Sequence, residues 1–287
     1  MNATLDHQIE IRPLSPALGA EIRGLDLGRE VDDATFATIE QAWRDHLVLL
    51  FRDQTLNEDD QVRFARRFGA LQSRPRPAAM RAESGEVKNP EIMLVSNIRK
   101  DGKLIGSLPD GEMQFHSDMC YIAKPAKGTF LYAIEIPSQG GDTLFLNTYR
   151  AYETLSPDIK ARIDSRRALN VFLYGSTSRD GNKPDFSVHP NHVHPVVRTH
   201  PETGRKGLFI NRLMTWSIEG MDEAESTALL ERLFDHMERP EFIYGHKWRV
   251  GDLVLWDNRC TLHARTDFSA AERRLLRRVV IQGDIPV

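Results

Sequence analysis

The apolar positions change period several times along the chain, and each change marks an element. Residues 9–13 and 21–27 are short and mixed, a pattern that predicts two strands. From Asp32 the period lengthens: Phe36, Ile39 and Trp43 fall at helical spacing, with Asp32 placed to cap a helix running to about His46. Leu47-Val48-Leu49-Leu50-Phe51 is then continuously apolar, which fits a buried strand. Asn57 can cap a second helix to Phe68. Glu58, Asp59 and Asp60 sit in its first turn, where the helix dipole favours acids, and Gly69 is its stop signal.

The middle of the chain is less regular. Pro75, Pro77 and small residues predict a loop over 74–85, and Asp101-Gly102 and Asp110-Gly111 predict turns. Residues 129–136 read as a strand ended by Pro137, with a turn at Gly140-Gly141. Residues 175–191, rich in Ser, Asp, Gly, Asn and Pro, read as a loop or lid. One further helix is predicted over 222–237. Asp222 and Glu225 are spaced like a capping box, and Leu229, Leu230, Leu233 and Phe234 form its apolar stripe. Short strands are expected at 248–250, 252–256 and 275–282. Many short strands separated by turns predict a sandwich or jelly roll.

Composition narrows the function classes. The 287 residues are 40% hydrophobic and 28% charged, enough for one large core, and no shift in composition marks a linker, so a single domain over 1–287 is expected. The net charge of −3 lacks the basic excess of a nucleic-acid binder. Two cysteines, Cys120 and Cys260, give no disulfide framework, and a reducing compartment is the default. Residues 1–11 are polar rather than signal-like, and no apolar run reaches membrane length. A soluble, cytoplasmic protein is expected, without nucleic-acid or membrane partners.

The sharpest chemical feature is Gln114-Phe115-His116-Ser117-Asp118-Met119. In a strand, residues two apart share a face, so His116 and Asp118 would point together and Phe115, Ser117 and Met119 away. An imidazole beside a carboxylate makes two thirds of a 2-His-1-carboxylate facial triad, which holds an iron by one face and leaves the other open. Such a pair is common by chance; a distant second histidine gives it weight. His263 ends the stretch that runs from Gly251 through Trp256-Asp257-Asn258-Arg259, and Arg274 and Arg278 follow it.

With these motifs, and with Phe64-Ala65-Arg66-Arg67-Phe68-Gly69, Gly140-Gly141-Asp142-Thr143 and 194–201, the chain resembles the TauD/TfdA family over nearly its whole length. That family comprises the taurine and 2,4-dichlorophenoxyacetate dioxygenases. The resemblance implies a mainly β fold with flanking helices, a double-stranded β-helix or jelly roll. It implies an Fe(II) enzyme in which 2-oxoglutarate is decarboxylated to succinate and CO2 while O2 is split and a small anionic substrate is hydroxylated. Sulfonates, sulfate esters, aryloxyalkanoates and carboxylates are the candidate substrates, some of which would be cleaved as a result.

By the same resemblance His116, Asp118 and His263 are the iron ligands, Arg274 binds the distal carboxylate of 2-oxoglutarate, and Thr143 hydrogen-bonds to it. Arg278 is the substrate's anion anchor. Arg74 stands where the taurine enzyme has a histidine that also contacts the sulfonate, a departure that argues against taurine itself. Arg274 and Arg278, four apart, would share a strand face. A buried guanidinium needs an anion, so both are expected to point at one. An assembly of two or four copies is expected.

Other readings compete. A zinc hydrolase could use the same His-Asp-His set, though it would not need a dicarboxylate anchor. A silent jelly-roll binding protein would be free to lose a ligand. A halogenase would leave the carboxylate position vacant for chloride. His189, His192 and His194 lack a cysteine partner and read as structural or lid residues, His200 and His246 as surface or supporting groups. Cys120 reads as a small buried residue and Trp256 as core or site wall.

Overall fold

The computed structural model describes residues 9–73, 87–108, 111–179 and 184–287. Arg74 and the whole of the expected 74–85 loop lie outside these, as do Asp110 and part of the 175–191 segment.

Two sheets dominate. The larger has seven strands in the order Glu10–Pro13, Ala20–Arg23, Val48–Phe51, Leu253–Asp257, Gly128–Glu135, Leu275–Ile281 and Met93–Ser96. Its pairings are antiparallel except between Ala20–Arg23 and Val48–Phe51. The smaller sheet has four antiparallel strands in the order Ile243–His246, Thr143–Asn147, Thr261–Arg265 and Met113–His116.

Strand alternation explains how these sheets stack. In the large sheet Leu49, Phe51, Phe130, Tyr132, Leu253, Leu255, Val279 and Ile281 face one way, onto helices Asp33–His46 and Glu58–Arg66 through Ile39, Trp43, Val62 and Phe64, with Phe68 just past the second helix. Their neighbours Val48, Leu50, Leu131, Ala133, Val254, Trp256 and Leu276 face the other way and meet Phe145 of the small sheet. The outer face of that sheet, with Leu144, Leu146, Leu262 and Ala264, packs on helices Thr148–Glu153, Pro157–Ile163 and Glu223–Met237. The result is helix, sheet, sheet, helix, mainly β with helices outside.

The predicted helix starts hold. Asp32 accepts from the Thr35 N–H, Asn57 and Asp60 form a reciprocal capping box, and Asp222 accepts from the Glu225 N–H. Each such cap contributes about 1 kcal/mol. The strand expected at 248–250 is absent; the strand lies earlier, at Ile243–His246, with a three-residue turn of helix before it. Thr143–Asn147, not foreseen as a strand, is central to the small sheet. No helix is long and apolar enough to cross a membrane among the described residues.

Candidate active site

His116 and His263 are direct cross-strand partners in the small sheet, both turned toward the large one, with ring centroids 4.1 Å apart. The strand expected to carry His116 and Asp118 together stops at His116; residues 118–121 form a turn, with Met119 at φ 62°. Asp118 therefore reaches the histidines through a turn rather than by strand alternation. Met119, expected on the far side, lines the same cavity, while Phe115 points into the outer core as alternation requires.

The three candidate ligand atoms lie within 4.8 Å of one another, with His263 Nε2 3.9 Å from Asp118 Oδ1. His116 Nδ1 lies 3.0 Å from the Gln114 carbonyl, which can only accept, so the proton is on Nδ1 and the Nε2 lone pair is available. Burial pushes both imidazoles down, His263 to about 3, and keeps them neutral at neutral pH. Burial would push Asp118 up, but the charge of the Arg278 guanidinium, with the adjoining His263 and His116 rings and the Thr129 hydroxyl, outweighs it and holds the carboxyl below its usual range. Two neutral imidazoles and one ionised carboxylate suit a divalent cation, and this donor set fits Fe(II).

The cluster opens on a cavity of about 460 Å³ between the sheets. Arg274 lies just before the strand Leu275–Ile281 and is 2% exposed; Arg278 is on the strand, and both line the cavity. The basic run is thus divided: Arg273 pairs with Glu135 outside, and Arg277 turns to the helical side, over the Tyr132 ring. Arg274 Nη2 donates to the Gly141 carbonyl at 3.3 Å, and its buried Nε has no partner among the described residues. Burial and the charge of Arg265 push this guanidinium down to about 9, a cation held without a carboxylate among the described residues. Gly141, at φ 66°, allows this approach, since a Cβ there would lie 3.3 Å from Arg274 Nε. Thr143 lines the cavity too; its Oγ1 accepts from Trp248 Nε1 at 3.0 Å.

Arg278 differs from the expectation. Its Nη2 lies 2.5 Å from Asp118 Oδ1, so an internal carboxylate already supplies the counter-charge that the sequence argument left open. The residue is at the cavity, but the argument from an unpaired guanidinium does not hold.

A model of the family described as taurine catabolism dioxygenase TauD, TfdA family matches residues 10–280. The chain belongs to this TauD, TfdA family. It is 35% identical to the (S)-phenoxypropionate/alpha-ketoglutarate-dioxygenase of Sphingobium herbicidovorans, over 96% of this chain and 95% of that one. It is also 35% identical to the alpha-ketoglutarate-dependent 2,4-dichlorophenoxyacetate dioxygenase of Cupriavidus pinatubonensis, over 96% and 98%. Among solved structures, AAD-2 in complex with Mn(II) and N-oxalylglycine is similar with a TM-score of 0.81 and 30% identity, over 97% of this chain and 98% of that one.

Within this family member, the structure brings together His116, Asp118, His263, Thr143, Arg274 and Arg278; Arg74 is outside the described residues. Sequence reasoning missed Arg265. It sits two after His263 on the same strand, so alternation from His263 would have found it at the cavity. Its guanidinium donates to the Gly111 carbonyl.

His200 and His246 are buried more deeply than expected. His200 meets Asp257 and His246 meets Asp252, each residue 1% exposed or less. His192 and His194 lie on the strand Asn191–Pro195, and His194 Nε2 donates to the Ile122 carbonyl. Cys120 is a small buried residue beside Met214. His200, Asp257 and Cys260 also converge, but the Arg259 fork occupies both oxygens of Asp257, which makes this cluster a structural ion pair.

Proposed function

We propose that this chain is a 2-oxoglutarate-dependent dioxygenase whose Fe(II) is held by His116, Asp118 and His263 and whose substrate is a small organic anion. The observation that carries this reading is one cavity with a neutral two-imidazole, one-carboxylate donor set beside Arg274, a buried cation whose Nε has no partner among the described residues. Hydrolysis would leave that cation without purpose. The two facing sheets are read as a double-stranded β-helix, the jelly roll expected of the family.

Bound Fe(II), with 2-oxoglutarate and O2, supplies the oxidising chemistry: R–H + 2-oxoglutarate + O2 gives R–OH + succinate + CO2. The chain's own residues bind and orient. Arg274 takes the distal carboxylate of 2-oxoglutarate, a charge-assisted pair in a desolvated site. Because Thr143 Oγ1 already accepts from Trp248, its proton is directed away from the indole and is available to the same carboxylate. Leu131, Val95, Phe172 and Met214 wall the cavity and exclude water. Arg278, 19% exposed at its side chain, anchors the substrate anion while keeping its contact with Asp118, and Arg74 assists it. An aryloxyalkanoate or sulfate ester hydroxylated at the carbon bearing its oxygen would break apart.

The test is succinate formation and O2 uptake with Fe(II) across sulfonates, sulfate esters, aryloxyalkanoates and small carboxylates. Coupled turnover is expected with at least one anionic class. Coupled turnover with neutral compounds alone would overturn the substrate assignment.

A further inference from the structure

Asp118 has two oxygens in different surroundings. Oδ1 faces His263 and Arg278. Oδ2 accepts from the Thr129 hydroxyl at 2.6 Å. Thr129 is fully buried in the large sheet, across the gap from the two histidines.

A relay of donors fixes the direction of that hydroxyl. Asn258 Oδ1 accepts from Trp256 Nε1 at 2.9 Å and from the Asp118 backbone N–H at 3.3 Å. Turning the Asn258 amide over would set its NH2 against two N–H donors, so the orientation is determined by its partners. Asn258 Nδ2 then donates to Thr129 Oγ1 at 2.9 Å. With its oxygen serving as acceptor, the Thr129 hydroxyl directs its proton at Asp118. Every step runs one way, Trp256 to Asn258 to Thr129 to Asp118, and Ser117 Oγ ties the same turn to the Asn258 carbonyl at 3.0 Å.

We propose that Thr129 and Asn258 are positioning residues that hold Oδ2 of Asp118 back, so that Oδ1 is the oxygen presented to the metal. This rests on the reading of His116, Asp118 and His263 as the metal centre. The competitor is Arg278. A guanidinium fork prefers to grip both oxygens of a carboxylate, and its Nη2 already holds Oδ1. Thr129 keeps the second oxygen out of that grip. Without the hydroxyl the carboxylate is free to rotate onto Arg278, and the metal loses one of three protein ligands.

The test needs no turnover. Mn(II) binding is titrated by the EPR signal of the free ion, without 2-oxoglutarate, in wild type, Thr129→Val, Thr129→Ser, Asn258→Leu and Asp118→Ala, with folding checked by circular dichroism. Thr129→Val keeps the shape and removes the donor; it is expected to weaken Mn(II) binding about 10- to 100-fold, the usual effect of losing an outer partner. Thr129→Ser restores the donor and the affinity. Asn258→Leu, which leaves the hydroxyl present but undirected, falls between. Should Thr129→Val not fold, Thr129→Ala removes the same donor and carries the same expectation. Folded Thr129→Val or Thr129→Ala binding Mn(II) like wild type, while Asp118→Ala does not bind, overturns the relay and leaves the metal centre standing. Asp118→Ala binding like wild type overturns the metal centre itself.

Discussion

Asp118 and Asp257 are both buried aspartates beside a histidine and an arginine; Asp257 precedes Asn258 in the chain, and the Asp118 backbone N–H donates to the Asn258 side chain. Around Asp257 everything closes. Arg259 grips both oxygens at 2.9 and 2.7 Å, its backbone N–H adds a third bond, and His200 a fourth at 3.1 Å. Around Asp118 only Oδ2 is enclosed by a neutral donor. Oδ1 faces a cavity, a neutral imidazole and a guanidinium that also lines that cavity. The same residue types thus give a fastening in one place and the proposed metal centre in the other. What separates them is whether the charges are satisfied within the fold or left facing space for a ligand.

Exchanging the two carboxylates for amides breaks the comparison most sharply. Asp118→Asn is expected to abolish turnover and metal binding in a protein that still folds. Asp257→Asn is expected to keep the metal and lose stability: breaking one partner of a buried pair costs about 3–5 kcal/mol, and the lower end applies because Glu202 still faces Arg259. Urea unfolding and metal titration on both variants check this; the reverse pattern would mean that the site and the fastening have been confused.

The next largest effect concerns Arg274. Arg274→Ala should raise the KM for 2-oxoglutarate, since losing a charge-assisted pair in a desolvated site costs about 2–5 kcal/mol. An unchanged KM would pass the role to Arg265 or Arg278. Arg278→Ala should lose substrate-stimulated turnover yet keep 2-oxoglutarate binding and a slow uncoupled decarboxylation. Substrate turnover with normal KM in that variant would remove Arg278 from the substrate site.

Much of this was legible in the sequence, for physical reasons. Helix starts at Asp32, Asn57 and Asp222 are local signals, and so is the apolar run before Phe51. That His116, Asp118, His263 and Arg274 would meet at one cavity was legible because the proposed chemistry requires those residue types and the family motifs fix their spacing. The contacts around them were not. Thr129 and Asn258 lie 11 and 140 residues from Asp118, and no periodicity links them. The pairing of Arg278 with Asp118 needs the turn at 118–121, which strand alternation could not foresee. The Thr143–Asn147 strand was hidden by its brevity after two glycines.

The smallest expected effect is on pH. Burial pushes His194 down to about 4 and His263 to about 3, from an ordinary value near 6.5. The unfolded chain takes up protons below about 6.5 while the folded chain resists until about 4, so the stability of metal-free protein falls as pH drops through that window. Melting temperatures across pH 4–7 should show the slope. His194→Gln should flatten it in part; an identical slope would mean that His194 is not held neutral.

The central claim, that the cavity is a 2-oxoglutarate-dependent dioxygenase centre built on Asp118 and its two histidines, is tested most directly by succinate. Wild-type protein and the His263→Ala variant, both folded, are supplied with Fe(II), 2-oxoglutarate, O2 and an accepted anion. Wild type should yield one succinate per O2 consumed and His263→Ala none. Equal succinate from both, or untouched 2-oxoglutarate with wild type across every anionic class, would contradict the account.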